Sequence, residues 1–586
     1  MPANVYYNNI CCIMPIDRHI DEVYTTKRGG CMASLQKRNN KGHDYWYVVE
    51  SKRVNGKPRP IVIQYLGTIE NILRHFREGP DDSQAQYKSY EHGAVAALFK
   101  IAQKTDLLRI MAEYLPSQTR DGLKREETLL LAAIHRVIKP GSKKKFAKWA
   151  STTSLPALIK FNPEEITSQH FWDQMDGITE QQLQNCEDAI TRHIFKLYSF
   201  QPDKLILDYT NYYSYIATAN EKSTLAKRGH NKQKRYDLRQ YSLAVVTSKD
   251  VLFPLCSYVY EGNINDQSVF PLYLDQIRAR VPDLDVAKTT LVFDGGSNNK
   301  DNLIKIESEK LHYICALSLS VCKELYDINR ESYEPIRIND KDVLCYRLRR
   351  EIWGKERECL LIDSPALLEG QVRDLDKNLT KNQERLAELL ETIRSDKSRI
   401  KKDPASIRER IKKTITGAHQ HDLIKVEIEG DPVVTSLSWR IDEDARQDII
   451  NRLFGKKLLI SDHTDWSTYE ILSTYNNQYL IENIFRDTKN PHHFAIRPQY
   501  HWTDMKTRVH IFCCLLGLVL TSLLRKELLD RGIVIGNAAL IEELSEIREV
   551  WVFKKSKKNK SGLKIDKELE MMNSQQEQIW SAISSI

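Results

Sequence analysis

The sequence predicts a mixed α/β protein. Its main sheet is interrupted and then resumed, and it is preceded by a β-hairpin and a helical domain. Three observations carry this. Short apolar, β-branched runs at residues 205–207, 289–293 and 458–460 read as buried strands. Between the second and third lies a seam of Leu368, Val372, Leu375, Leu379, Leu386, Leu389, Ile393 and Ile400, spaced for one long helix. Ahead of them, residues 90–200 repeat apolar positions at three and four, as in Ala94, Ala97, Leu98 and Ile101.

Composition sets the outer limits. The chain has 586 residues, 41% of them hydrophobic and 28% charged, which excludes a collagen, a disulfide knot or a wholly disordered chain. A net charge of +8 is small for this length, so a polyanion partner is permitted but not demonstrated. The 11 cysteines include no CxxC pair, and the doublets Cys11–Cys12 and Cys513–Cys514 are poor zinc ligands. Reduced thiols and a cytoplasmic protein are expected. The first residues lack the basic-then-apolar order of a secretory signal. The most apolar segment, 511–524, is shorter than the roughly twenty residues of a membrane span. It reads as a buried core helix, with no membrane association.

The elements follow in order. Residues 1–40 show no clear period and read as an N-terminal extension, with Met32 as an alternative start. Residues 41–70 form a hairpin module: Tyr45, Tyr47 and Val49 alternate, Asn55-Gly56 supplies a type I′ turn, and Ile61, Ile63 and Tyr65 alternate again. Lys52, Arg53, Lys57 and Arg59 near that turn read equally as a solvated tip or a DNA contact. Residues 88–200 form a helical domain expected to bind DNA. There Pro140-Gly141 ends one helix, and Ser142 with Lys143, Lys144 and Lys145 opens another. That basic start suits a phosphate or a solvated face equally. Strands follow at 241–246 and 251–260, then a helix at 299–310 and a strand at 312–319. Residues 321–455 interrupt the sheet with polar strands and a long helical arm at 365–416. The arm opens at Ser364-Pro365 and carries Asn382 and Asp396 as polar misfits. Residues 456–530 return to a compact pattern, and 531–586 read as a helical, basic tail.

Candidate chemistry lies in three acids. Asp208 and Asp294 each follow a buried run, where a charge is costly unless paired or bound to metal. Around residue 480, at about 100° per residue, Tyr475, Gln478, Glu482, Arg486 and Lys489 fall within one stripe about 80° wide. An acid amid cations suits a metal ligand beside a phosphate-binding surface. An amphipathic surface helix with internal ion pairs fits the same pattern. Between residues 222 and 239 basic residues are dense: Lys222, Lys227, Arg228, His230, Lys232, Lys234, Arg235 and Arg239. This loop is taken as DNA-binding.

These motifs resemble the DDE transposases of prokaryotic insertion sequences, specifically a long-insertion branch of the insertion-sequence-four superfamily. The first motif stands as Asp208-Tyr-Thr-Asn211, and the second as Val292-Phe-Asp294-Gly-Gly-Ser-Asn298. The third stands as Tyr475-x2-Gln478-x3-Glu482-x6-Lys489, with Gln where the family has Arg. Arg497-Pro-x-Tyr-His-Trp502 and Tyr65-Leu66-Gly67 also look like this branch. The resemblance implies a ribonuclease-H-like catalytic core of residues 204–320 and 456–530. The 188 positions from Asp294 to Glu482 would then contain an insertion domain.

The resemblance further implies two-metal phosphoryl transfer at the ends of the protein's own element. Asp208, Asp294 and Glu482 would hold two Mg²⁺ ions, with Mn²⁺ able to substitute. Tyr475, Gln478, Arg486 and Lys489, with Lys227, Arg228, Lys232, Lys234 and Arg235, would contact DNA. Thr210 and Asn211 would support the Asp208 loop. The partners would be double-stranded DNA and a second copy of the chain on paired ends, at the nucleoid. The other readings are a different metal-dependent nuclease on the same core and a catalytically decayed DNA-binding descendant.

Overall fold

The computed structural model describes residues 26–586 except 29–30, 41, 55–56, 79–85, 231–234, 250, 282–283, 396–397, 498 and 556–562. The chain divides into two units. One comprises the N-terminal residues to Lys88 with Val550–Glu568; the other comprises Ser89–Glu549 with Leu569–Ile586.

In the N-terminal unit, strands Thr26–Arg28, Cys31–Asn40, His43–Val54 and Lys57–Gly67 pair antiparallel in chain order. Val54 pairs with Lys57, so two residues make the turn. That turn, Asn55-Gly56, lies outside the described residues, as do the side chains of Lys52, Arg53 and Lys57. Strand Cys31–Asn40 falls in a region with no expected element. Its second half, Gln36-Lys-Arg-Asn-Asn40, is polar on both faces, so it lacks the alternation that marks a half-buried strand.

The larger unit is built on a nine-stranded sheet, its strands numbered here in chain order. They are β1 (Lys204–Ser214), β2 (Arg239–Ser248), β3 (Val251–Glu261), β4 (Thr290–Phe293), β5 (His312–Leu317), β6 (Glu334–Ile338), β7 (Lys341–Ile352), β8 (Lys355–Asp363) and β9 (Lys456–Ser461). Their spatial order is β3-β2-β1-β4-β5-β9-β8-β7-β6. β1, β4 and β5 run parallel, and the other neighbouring pairs run antiparallel. The strands of 334–363, read from sequence as part of the interruption, extend this same sheet through β9. Helix Asp266–Arg280 between β3 and β4 was not expected; Pro271 inside it obscures its period.

The seam helix runs Pro365–Arg394, capped by the Ser364 side chain, and packs with helix Pro404–Thr414. The polar misfit Asn382 is buried and fully engaged. It donates to the Thr416 carbonyl at 2.9 Å and accepts the Thr416 amide at 3.2 Å. Asp396 lies outside the described residues.

The apolar segment 511–524 belongs to helix Asp504–Leu529, which is long and apolar enough to cross a membrane yet buried in the core along nearly its whole length. It packs on helix Arg125–Ile138. Gly517 permits this approach: a Cβ there would lie 2.7 Å from Val137 Cγ2 and 3.0 Å from the Ala133 carbonyl. The basic start at Ser142 is one 3-10 turn in which Ser142 makes no side-chain cap and Lys143 is buried against Phe171. Within 531–586 the described residues form helices Asn537–Ser545 and Ser574–Ser584, the second burying Ile579 and Ile583, and also strands Arg548–Lys555 and Leu563–Leu569, which were not expected; residues 556–562, with part of the basic run, lie outside the described residues. Among the described residues, eight cysteines are free and buried.

Three buried histidines near this core resist protonation. Burial holds His135 and His510 well below the usual value and lowers His501 to about 3, with Lys143 and Arg136 adding to each. In the unfolded chain they titrate near 6.5. Below that pH the unfolded state binds more protons, so stability is complete above about pH 6.5 and falls as pH drops toward 3. The urea unfolding midpoint is therefore expected to fall between pH 7 and pH 5. The slope should approach about 1.4 kcal/mol per pH unit for each histidine, and His501→Gln should flatten it.

Candidate active site

The register of the sheet brings the first two acids together. β1 and β4 run parallel with Leu207 beside Phe293, so Asp208 and Asp294 come next on adjacent strands at one level. Asp208 was expected at a strand end but stands in the middle of β1. β2 pairs that strand as far as Ser214, and only the β4 side stops. The Tyr209 amide donates to Asp208 Oδ1 at 2.7 Å. Asp294 caps the 3-10 turn Gly295–Ser297, accepting the Gly296 amide at 2.9 Å. A Cβ at residue 296 would come 3.0 Å from that carboxylate oxygen, which accounts for the glycine.

Glu482 comes from helix Gln478–Lys489, which buries Leu480, Ile481, Ile484 and Phe485 and leaves Glu482 and Arg486 exposed. Two contacts fix this helix on β1. Tyr212 and Thr488 share a hydroxyl hydrogen bond at 2.6 Å, and Lys489 Nζ donates to Thr210 Oγ1. Asn211 donates to Ser242 Oγ at 2.7 Å, tying β1 to β2. The result is a cleft of about 350 Å³ lined by Asp208, Tyr209, Thr210, Asp294, Gln478, Glu482, Phe485, Arg486 and Lys489.

Tyr475 departs from its expected place. Asn477 separates helix Thr468–Asn476 from helix Gln478–Lys489, so the polar stripe begins at Gln478. Tyr475 is 5% exposed and does not line the cleft. Burial, and then Asp294, raises its phenol. Tyr475 thus packs inside the protein instead of facing solvent. Sequence reasoning missed Lys457 on β9, whose Nζ lies 4.3 Å from the centre of the Tyr475 ring. Burial lowers its ammonium, while Asp294 and Glu482 oppose that shift. No spacing rule links this strand residue to the helix, so it had no legible signal.

The transposase DDE domain family matches residues 214–518, just over half of the chain. The chain belongs to that family. Asp294 and Glu482 of this transposase lie within the matched span, and Asp208 lies just upstream. No curated protein matches the chain. Among solved structures, the piggyBac transposase synaptic complex with hairpin DNA is similar at a TM-score of 0.34 and 8% identity, over 77% of each chain. A likeness of that size bears on neither fold nor function.

The transposase's basic loop after β1 is partly tied down. Asp504 accepts from Ser223 Oγ at 2.9 Å, from Thr224 Oγ1 at 2.6 Å, and from the Thr224 and Leu225 amides at 2.9 and 3.1 Å. Burial raises this carboxyl, but these bonds together hold it below the usual range. Arg239 is spent on the carbonyls of Ala217, Asn220 and Ser223. Arg235 forms a two-point ion pair with Asp237, at 2.9 and 2.8 Å, and so brings less net charge than expected. Lys227 pairs its backbone with Gln240 and is half-buried, whereas Arg228 is exposed and donates to Thr218 Oγ1 at 3.3 Å. Lys232 and Lys234 lie outside the described residues. Asp504→Ala should release the loop at a cost of roughly 2 kcal/mol. Limited proteolysis should then cut within 215–230 faster than in the parent.

The donor set of the cleft fits a hard divalent cation. Its ionic ligands are carboxylate oxygens, and among the described residues no His or Cys lines it. By distance alone a second possible metal site exists, because ligand atoms of His312, Asp462 and His463 lie within 4.8 Å of one another. It sits by Thr290, at the opposite end of β4 from Asp294. There the two imidazoles stack with centres 4.4 Å apart, so their in-plane lone pairs do not converge. His312 Nδ1 is already bonded to Asp462 at 2.9 Å and His463 Nε2 to Thr290 Oγ1 at 2.8 Å.

Proposed function

We propose that this transposase cleaves and rejoins DNA at the ends of its own element by divalent-metal phosphoryl transfer. The observation that carries the proposal is the meeting of Asp208, Asp294 and Glu482 around one cleft. The order β3-β2-β1-β4-β5, antiparallel then parallel, supports a ribonuclease-H-like core. On this reading the insertion comes between β5 and β9, in a long-insertion branch of the insertion-sequence-four superfamily.

The three carboxylates would hold two Mg²⁺ ions, or Mn²⁺ in their place, which would supply activation of the attacking oxygen and charge stabilisation of the leaving one. The remaining work falls to the chain's own groups. Arg486 and Lys489 offset phosphate charge and set the strand's register without reading bases. Thr210 accepts from Lys489 and so fixes where that cation stands. Gln478, which lines the cleft, offers an uncharged donor where a cation would bind phosphate more strongly. Arg228, Lys227 and the neighbouring loop grip the duplex beyond the cut. Two copies on paired ends, acting at the nucleoid, complete the reading.

The test is strand transfer. Purified protein, Mg²⁺, a duplex carrying the element's own end and a supercoiled target should yield joined products. Cutting without joining would favour a general nuclease, and binding without cutting a decayed DNA-binding descendant.

A further inference from the structure

A second, larger cleft adjoins the acids. It has a volume of about 870 Å³ and shares Arg486 and Lys489 with the acid cleft. Its other walls come from separate elements: Lys249 after β2, Arg525 of helix Asp504–Leu529, and the start of helix Asn537–Ser545. Four cations line it against one acid, Asp487. That acid is engaged at its Oδ2 by Asn537 Nδ2 at 2.9 Å.

We propose that this cleft binds the phosphodiester backbone of the DNA strand that continues past the reacting phosphate. Arg525 carries the argument. It is half-buried, and among the described residues it makes no hydrogen bond or ion pair. A guanidinium held partly out of water without an anion is costly, so the site is built for an anion from outside. Burial lowers its pKa, and Asp487 offsets only part of that. The start of helix Asn537–Ser545 adds donors of the same kind. Gly536 gives it no side-chain cap, and Asn537, Ala538 and Ala539 line the cleft. Continuity with the acid cleft through Arg486 and Lys489 selects a polymer running through both over a free nucleotide confined to one.

The inference rests on the proposed transposase reading, and its test is separable from it. Binding is measured in EDTA by fluorescence anisotropy with two labelled duplexes. One runs from the flanking DNA through the element boundary; the other stops at the boundary. The variants are Lys249→Glu, on an exposed turn, Arg525→Gln, and the two combined, each first checked for parental thermal unfolding. For the longer duplex the double variant should bind roughly tenfold or more weakly, with a salt slope smaller by about two. The shorter duplex should change by less than about twofold. If Arg525→Gln unfolds, Lys249→Glu alone should still weaken the longer duplex selectively. Equal losses on both duplexes, or no loss on either, overturn the proposal. Groove-dependent binding by a protein that never cuts would sink the transposase reading and leave the groove standing.

Discussion

Asp208→Asn, Asp294→Asn and Glu482→Gln should each lose metal-dependent strand cleavage by about 10³-fold or more, because on the proposed reading each would remove a ligand from a site supplying several kcal/mol of transition-state stabilisation. The three variants fold as the parent does. Asp208 sits on a buried strand and Asp294 directly after one, but their carboxylates open onto the cleft, and Glu482 is exposed on its helix. Binding of the same duplex in EDTA should stay within about threefold, since removing one negative charge does not weaken contact with phosphate. The two readouts must part. A variant that loses binding and cleavage together has lost its fold, and one that keeps cleavage removes that acid from the site.

Glu307→Ala should destabilise the sheet by about 3 kcal/mol or more, the cost of stranding a buried cation. Arg357 on β8 is 1% exposed at its side chain. It reaches Glu307 of helix Lys300–Ser308 at 2.8 Å, and also bonds the Tyr313 hydroxyl and the Ile352 carbonyl. This pair joins the parallel part of the sheet to the added strands β6 to β8. Lys305→Ala, which breaks an exposed pair with Asp275, serves as control and should cost less than about 1 kcal/mol. Urea unfolding monitored by tryptophan fluorescence reads the difference. Replacing Glu307 and Arg357 together by Leu and Met should recover much of the loss. A Glu307→Ala midpoint equal to the control's would show that Arg357 is satisfied without it.

What was legible followed from local pattern. β1 and β4 announced themselves as apolar runs ending at acids, and Leu480 and Ile484 marked the buried side of the Glu482 helix. Pairing register, which sets Asp208 beside Asp294, is a long-range property that no local spacing contains. The break at Asn477 was equally hidden, because the polar residues on either side continue one period. Tyr475, before that break, is buried. Lys457 and Arg525 were invisible for a related reason: Lys457 meets the Tyr475 ring, and Arg525 its cleft, from elements distant in sequence. Charge density was read correctly in the loop, but Arg235 and Arg239 turned out to be occupied within the protein.

The central claim is that three acids, on β1, just after β4 and on the Gln478–Lys489 helix, form one metal-dependent cutting site for the element's own boundary. The direct measurement is cleavage of a labelled duplex spanning the DNA that flanks the coding sequence. It is run with Mg²⁺ or EDTA, for the parent and for Glu482→Gln. The account predicts cutting at the boundary with Mg²⁺ by the parent, and none in EDTA or by the variant. Cutting that persists in EDTA or in Glu482→Gln would contradict it.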